Sequence, residues 1–269
     1  MPDDALPPPR RRRPSRATTR DSQGPNVLLA ALPARAYAAL APQLVSLSLA
    51  AGDELYAPGA AIRHVYFPDS TVLSMLARMD DGTIMEVGTI GREGFAGLPV
   101  LIGVDSGTTQ CVAQVPGDVR RLSATALRAA LAAADGRPLR DVLLRYAYAF
   151  MQQLQQASAC NALHSVVERC ARWLLTTDDT AGRDTAGGDG DASTAFELKQ
   201  QYLAHLLGVR REGVSSAART LRAAGLIEFS RGRITVVDRA GLEAASCECY
   251  GAVAGEYARV LGVDPRRAR

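Results

Sequence analysis

FELKQQYLAHLLGVRREGVSSAARTLRAAGLIEFSRGRITVVD, residues Phe196 to Asp238, is the stretch whose reading decides the fold. Leu198, Leu203, Leu206 and Leu207 recur at helical spacing and predict a first helix from Leu198 to Leu207. Gly208 follows at once, and glycine accepts the left-handed backbone that ends a helix and turns the chain. A second helix is expected from Arg210 to just before Gly225. Its Val214, Ala218 and Leu221, with Ala217 beside them, form an apolar face that should pack on the first helix. Glu212, Ser215, Ser216 and Arg219 fall on the opposite side. Beyond Gly225, two short apolar runs, Leu226 to Phe229 and Ile234 to Val237, flank Ser-Arg-Gly-Arg and read as a hairpin.

Helix, glycine turn, helix and basic hairpin in this order are suited to entering the DNA major groove. Arg211 sits near the start of the second helix, where such helices commonly meet base edges. Arginine can hold guanine O6 and N7 with two hydrogen bonds, and glutamate can accept from cytosine N4. Arg231 and Arg233 at the hairpin tip suit phosphates, which position a protein without specifying sequence. Lys199 and Arg210 add to the same basic surface. From Phe196 to Arg239 the chain holds eight Lys/Arg and four acids, a balance of +4 against +3 for the whole protein. Positive charge is thus concentrated where groove contact is expected. An ordinary helical hairpin with a solvated charged face is the alternative, and the appended basic wing weighs against it.

The 269 residues, 47% of them hydrophobic, fit a two-domain protein with a substantial core. No run approaches the roughly 18–20 apolar residues that span a membrane, so no membrane partner is expected. Residues 1–25, with three consecutive prolines and Arg10 to Arg13, read as a disordered basic tail. A solvated tail is a simpler reading of it than an arm touching DNA. From Pro25 to Pro42 the chain should be helical, capped by Asn26 and split by Pro33. Residues 45–122 alternate short apolar runs with Gly and Pro breaks, as an antiparallel barrel or jelly roll requires.

Helical spacing returns from about Ala124. Between Pro138 and about Ala159, Leu139, Leu143, Tyr146, Phe150 and Leu154 make one apolar seam. Such a seam suits either a partner helix or the subunit's own core. Asn161 to Leu175 reads as another amphipathic helix, and residues 176–194, rich in Gly, Asp, Thr and Ala, as a flexible loop.

The order of these pieces resembles the Crp/Fnr family of bacterial transcription regulators. NVLLAALP (26–33), GDELYAPG (52–59), VYFPDSTVLSML (65–76) and DGTIMEVGTIGREGFAG (81–97) are similar to its β-roll sensor domain. ELKQQYLAHLLGVRREGVSSAARTL (197–221), followed by GLI and a basic wing, resembles its winged helix. The resemblance implies an α+β fold and a cytoplasmic homodimer. A cyclic-nucleotide-binding-like roll would occupy residues 26–135, a dimer helix 136–159, the DNA-binding domain 160–250 and a tail 251–269. It favours the partner-helix reading of the seam, a palindromic operator, and RNA polymerase as a further partner. The family's Arg-Glu at the start of the recognition helix matches Arg211-Glu212, whereas its second arginine falls on Ser216.

Family members that bind cyclic nucleotides use a Gly-Glu step and, further on, an arginine that neutralises the cyclic phosphate. Glu93 and Gly94 resemble the beginning of that cassette, but no Lys or Arg occurs from Glu93 to Asp118. A buried phosphate there would lack its cation. Cyclic AMP is therefore not expected as a ligand, although Thr108 and Thr109 leave open a smaller or neutral one. No cysteine precedes Cys111, so an iron–sulfur cluster of the N-terminal kind is not expected either. Cys247 and Cys249 are the one close cysteine pair, and two ligands are too few for a closed zinc site. No nucleophile elbow, phosphate-binding loop or dinucleotide fingerprint points to an enzyme. Two other readings stay open: a redox-responsive regulator using the C-terminal cysteines, and a ligand-binding or dimerisation module without DNA binding.

Overall fold

A computed structural model describes residues 26–180, 195–197, 200–230 and 233–266. The expected basic tail, and most of the segment read as a flexible loop, lie outside the described residues.

The chain opens with two short helices, α1 (Val27–Ala30) and α2 (Ala34–Leu40), separated at Pro33. Asn26 caps α1 by accepting from the Leu29 N–H at 3.2 Å. Its side-chain nitrogen donates to the carbonyls of Pro68 (2.8 Å) and Gly94 (3.0 Å), so the same buried residue also ties together two loops of the following sheets. Seven strands follow: β1 (Val45–Leu49), β2 (Glu54–Tyr56), β3 (His64–Pro68), β4 (Val72–Arg78), β5 (Ile84–Ile90), β6 (Gln110–Val115) and β7 (Gly117–Ser123). They pair antiparallel in two sheets, ordered β1-β7-β3 and β2-β6-β4-β5. A short helix, α3 (Leu98–Leu101), interrupts them.

Strand alternation sends neighbouring side chains to opposite faces. Leu73, Cys111 and Ala113 face the interior of the roll with Phe67, Phe95 and Leu122. Leu76 and Val112 face outward, and they too are buried, together with Ile84, because the C-terminal domain packs on them.

After α4 (Ala124–Ala132) comes the long α5 (Arg137–Leu163). Its seam turns inward. Leu139, Leu143, Tyr146 and Phe150 are buried in the core of their own subunit, and Leu154 packs partly buried against it. The expectation that this seam meets a partner helix is therefore corrected: the roll already covers it. The outer side of α5 instead exposes Leu144 (46%), Tyr148 (41%) and Met151 (46%), spaced four and three residues apart.

The C-terminal domain comprises α6 (Val166–Thr180), β8 (Ala195–Glu197), α7 (Gln200–Leu207), α8 (Arg211–Ala223), β9 (Ile227–Ser230), β10 (Arg233–Val236), α9 (Arg239–Ala245) and α10 (Cys249–Leu261). Helix α6 continues to Thr180, past the Thr176 at which a loop was expected to begin. The wing has a third strand, β8, paired antiparallel with β10. The expected C-terminal tail is largely the docked helix α10, whose Tyr257 is 2% exposed and stands edge-on to Tyr146.

The joint between the domains contains a buried acid. Glu86 on β5 accepts from Thr89 Oγ1 (2.9 Å) and from Trp173 Nε1 on α6 (3.2 Å), and it is also bonded to Ser74, which contacts Gln114. Burial pushes its pKa from the ordinary 4.5 up to about 7, and the hydrogen bonds of Ser74, Thr89 and Trp173 with the charge of Arg172 offset only part of this. The folded-state value lies above the unfolded one. The contribution therefore favours the fold fully below about 4.5 and is lost as pH rises through about 7. Denaturant titrations should show stability falling between about pH 5 and pH 8 by on the order of 3 kcal/mol from this group. Glu86→Gln should flatten that slope, and an unchanged slope would show that another group is responsible.

Candidate nucleic-acid interface and a cysteine–histidine cluster

The two faces of α8 separate as its sequence requires. Val214, Ala217, Ala218 and Leu221 are buried against α6 and α7, while Arg211, Glu212, Ser216, Arg219 and Arg222 are exposed. Ser215 is half-buried, and Arg210 is exposed at the N-cap. Arg219 folds back, its Nε donating to the Ser215 carbonyl at 3.3 Å. Gly208 adopts φ +59°, the left-handed turn that its position implied. Arg169 of α6 donates to the carbonyl of Leu207, which holds a cation at the end of α7 where the helix dipole favours one.

On the wing, Arg233 is exposed at the start of β10, opposite Ser230. Lys199 and Arg231 lie outside the described residues. Arg239, counted above among the basic residues of this region, is taken out of it. Its guanidinium pairs with Asp178 and Asp179 at the end of α6, both at 2.6 Å, and with Glu243 at 3.0 Å. It also donates to the Tyr250 hydroxyl at 2.6 Å, which in turn donates to Asp179. The network fastens α9 and α10 to α6 and leaves Arg239 no role at a groove.

The would-be cassette is filled by protein. A Cβ on Gly94 would lie 2.5 Å from the ring of Tyr146, and one on Gly88 2.9 Å from Phe150. Tyr146 lies between Phe95, tilted to it at a centroid distance of 5.3 Å, and Phe150, on which it stacks at 5.7 Å. Glu93 is buried, and its Oε1 accepts from the Gly91 N–H at 2.8 Å. Burial raises its pKa. It lines a crevice of about 50 Å³ with Arg172, Asp179 and Tyr257, small beside the roughly 300–1,000 Å³ of typical ligand pockets. Thr108 is exposed and Thr109 half-buried on the segment leading into β6.

A second constellation lies where α5 ends and α9 passes into α10. Cys160, His164, Cys247 and Cys249 bring one ligand atom each to within 4.8 Å of one another. The Sγ atoms of Cys160 and Cys247 are 3.5 Å apart, and Cys249 Sγ is 3.6 Å from His164 Nδ1. All three cysteines are buried. For Cys160, burial opposes ionisation, but Arg172, His164 and the neighbouring thiols outweigh it and hold its pKa below the ordinary value. Burial first, then the neighbouring sulfur, raises that of Cys247. Along the chain only Cys247 and Cys249 stand close enough to suggest a pair. The overlooked signal was Cys160-x3-His164, which puts both side chains on one face of a helix end.

Residues 168–245 match the Crp-like helix-turn-helix domain. Comparison by sequence with curated proteins gives no match. Among solved structures, the CRP-family regulator TTHB099 of Thermus thermophilus is similar, with 22% identity and TM-score 0.59 over 74% of this chain and 95% of that one. FixK2 of Bradyrhizobium japonicum shares 18% identity, with TM-score 0.60 over 76% and 98%. The c-di-GMP-responsive regulator CLP of Xanthomonas campestris shares 17%, with TM-score 0.59 over 76% and 99%. The chain thus carries a Crp-like helix-turn-helix domain within the fold of the Crp/Fnr transcription regulators.

Proposed function

We propose that this protein binds double-stranded DNA as a homodimer and regulates transcription from a palindromic operator. The observation that carries this reading is the division of α8, one face committed to the core and the other presenting Arg211, Glu212, Ser216 and Arg219 to solvent. Arg211 would read a guanine and Glu212 a cytosine. Ser216, in place of a second arginine, reads bases less selectively and shifts the operator away from the family pattern. Arg210 and Arg233 would hold phosphates, joined by Lys199 and Arg231.

Dimerisation would use the outer stripe of α5, Leu144, Tyr148 and Met151, not the inward seam. Three apolar side chains at helical spacing on the family's dimer helix support this, and pairing would set two recognition helices about 34 Å apart. Control by cyclic AMP is not part of the proposal, because Tyr146 fills the space beside Gly94 and no Lys or Arg lies between Glu93 and Asp118.

Selection from a random duplex pool should return a palindrome. Arg211→Ala should cost on the order of 1–3 kcal/mol on that site and relax its sequence preference. Arg233→Ala should weaken binding to all sequences alike and lower the salt slope by about 0.9. Affinities unmoved by both changes would refute the assigned roles. Paired Leu144→Glu and Met151→Glu substitutions should give a monomer in sedimentation and loss of operator binding, and a dimer that survives them places the interface elsewhere. Calorimetric titration with cyclic AMP should give no binding at micromolar concentrations, with cyclic di-GMP run alongside; measurable cyclic AMP affinity would contradict the reading of the filled cassette.

A further inference from the structure

The four residues where α5, α9 and α10 converge have the composition of a closed Cys3His metal site, and their spacing fits one ion. Zinc binds thiolate sulfur at about 2.3 Å and imidazole nitrogen at about 2.0–2.1 Å, so tetrahedral donors sit roughly 3.4–3.8 Å apart. The 3.5 Å Cys160–Cys247 and 3.6 Å Cys249–His164 separations match those edges. A four-iron cluster must fit several metal atoms between its sulfurs and needs a wider cage.

The surroundings point the same way. His164 turns Nδ1 toward the sulfurs, while its Nε2 meets the Glu248 carboxylate at 3.2 Å. Metal-bound histidines are commonly oriented by a carboxylate on the far nitrogen. Gln156 Nε2 donates to Cys249 Sγ at 3.1 Å, the contact a ligating thiolate accepts. Arg169 and Arg172 have Nε atoms that are buried without a hydrogen bond. Arg172 favours the Cys160 thiolate electrostatically.

We propose that Cys160, His164, Cys247 and Cys249 bind a single tetrahedral divalent ion of the zinc class. The sulfurs ligate as thiolates and release their protons to solvent, while His164 ligates through Nδ1 and keeps its proton on Nε2, donated to Glu248. A dication with three thiolates leaves one negative charge, which Arg169 and Arg172 are placed to balance. The ion clamps the end of α5 and its His164 cap to the Cys247–Cys249 link, so it fixes the joint through which the sensor and DNA-binding halves are connected. This assignment does not depend on DNA binding.

The test uses the full chain, purified in reductant. Elemental analysis of zinc-loaded protein should give one equivalent per chain. Cobalt(II) titration should produce the intense visible bands of a tetrahedral site and thiolate-to-metal charge transfer in the near ultraviolet. The Cys247→Ser, Cys249→Ser double variant should lose both, whereas Cys170→Ala should keep the full equivalent. Glu248→Gln, altering an exposed residue, should bind about 10–100-fold more weakly without unfolding, and it decides the matter if the double variant fails to fold. Folded, reduced protein that takes up neither metal overturns the proposal. So does a double variant that binds cobalt as the parent does, or metal-free material whose cluster holds only a Cys160–Cys247 disulfide.

Discussion

The structure depends on one aromatic side chain entering the β-roll. Tyr146 of α5 occupies the space above Gly94 and contacts the rings of Phe95, Phe150 and Tyr257. Glycine at 94 admits it, since any side chain there would collide with the ring. Through this contact the roll holds α5, and α5 holds α10, where Tyr257 also donates to Gln153 at 2.8 Å. The space beside Gly94 is occupied by an aromatic side chain of the chain itself. The roll is thus a packed element of the architecture, and its outer sheet is the platform for the helix-turn-helix domain.

That platform is mixed in character. Leu76, Ile84 and Val112 extend the apolar core of the helix-turn-helix domain onto the sheet, while Glu86 places a hydrogen-bonded carboxyl within the same contact, held by Trp173. Apolar burial provides attraction without direction. A buried acid with several partners fixes orientation, since moving α6 would strip it of a donor while it remains desolvated. At the C-terminal end of α6, Arg239 with Asp178, Asp179 and Tyr250 does the same for α9 and α10.

Elements whose signals are local were legible from the chain. Gly208, Gly225 and the spacing of Val214, Ala218 and Leu221 located the helix-turn-helix within a residue or two at its described ends. Asn26 and Pro33 located the first helices. What required three dimensions was the destination of each face. Periodicity identified the Leu139–Leu154 seam but not what covers it, and the roll covers it. On sequence alone Arg239 adds to the basic balance of residues 196–239, because its partners Asp178 and Asp179 lie outside that window, in a stretch read as loop. Cys160 and His164 join Cys247 and Cys249 across more than eighty residues of chain, a separation that hides any ligand set.

Gly208 serves two masters. Its φ of +59° turns the chain between α7 and α8, and its missing side chain lets Met85 of β5 approach to 2.5 Å from where a Cβ would stand. Asparagine tolerates such a backbone but would still press on Met85. The turn that leads into α8 is thereby also a bearing surface on β5, so the helix-turn-helix domain and the roll meet at the pivot itself without an intervening linker.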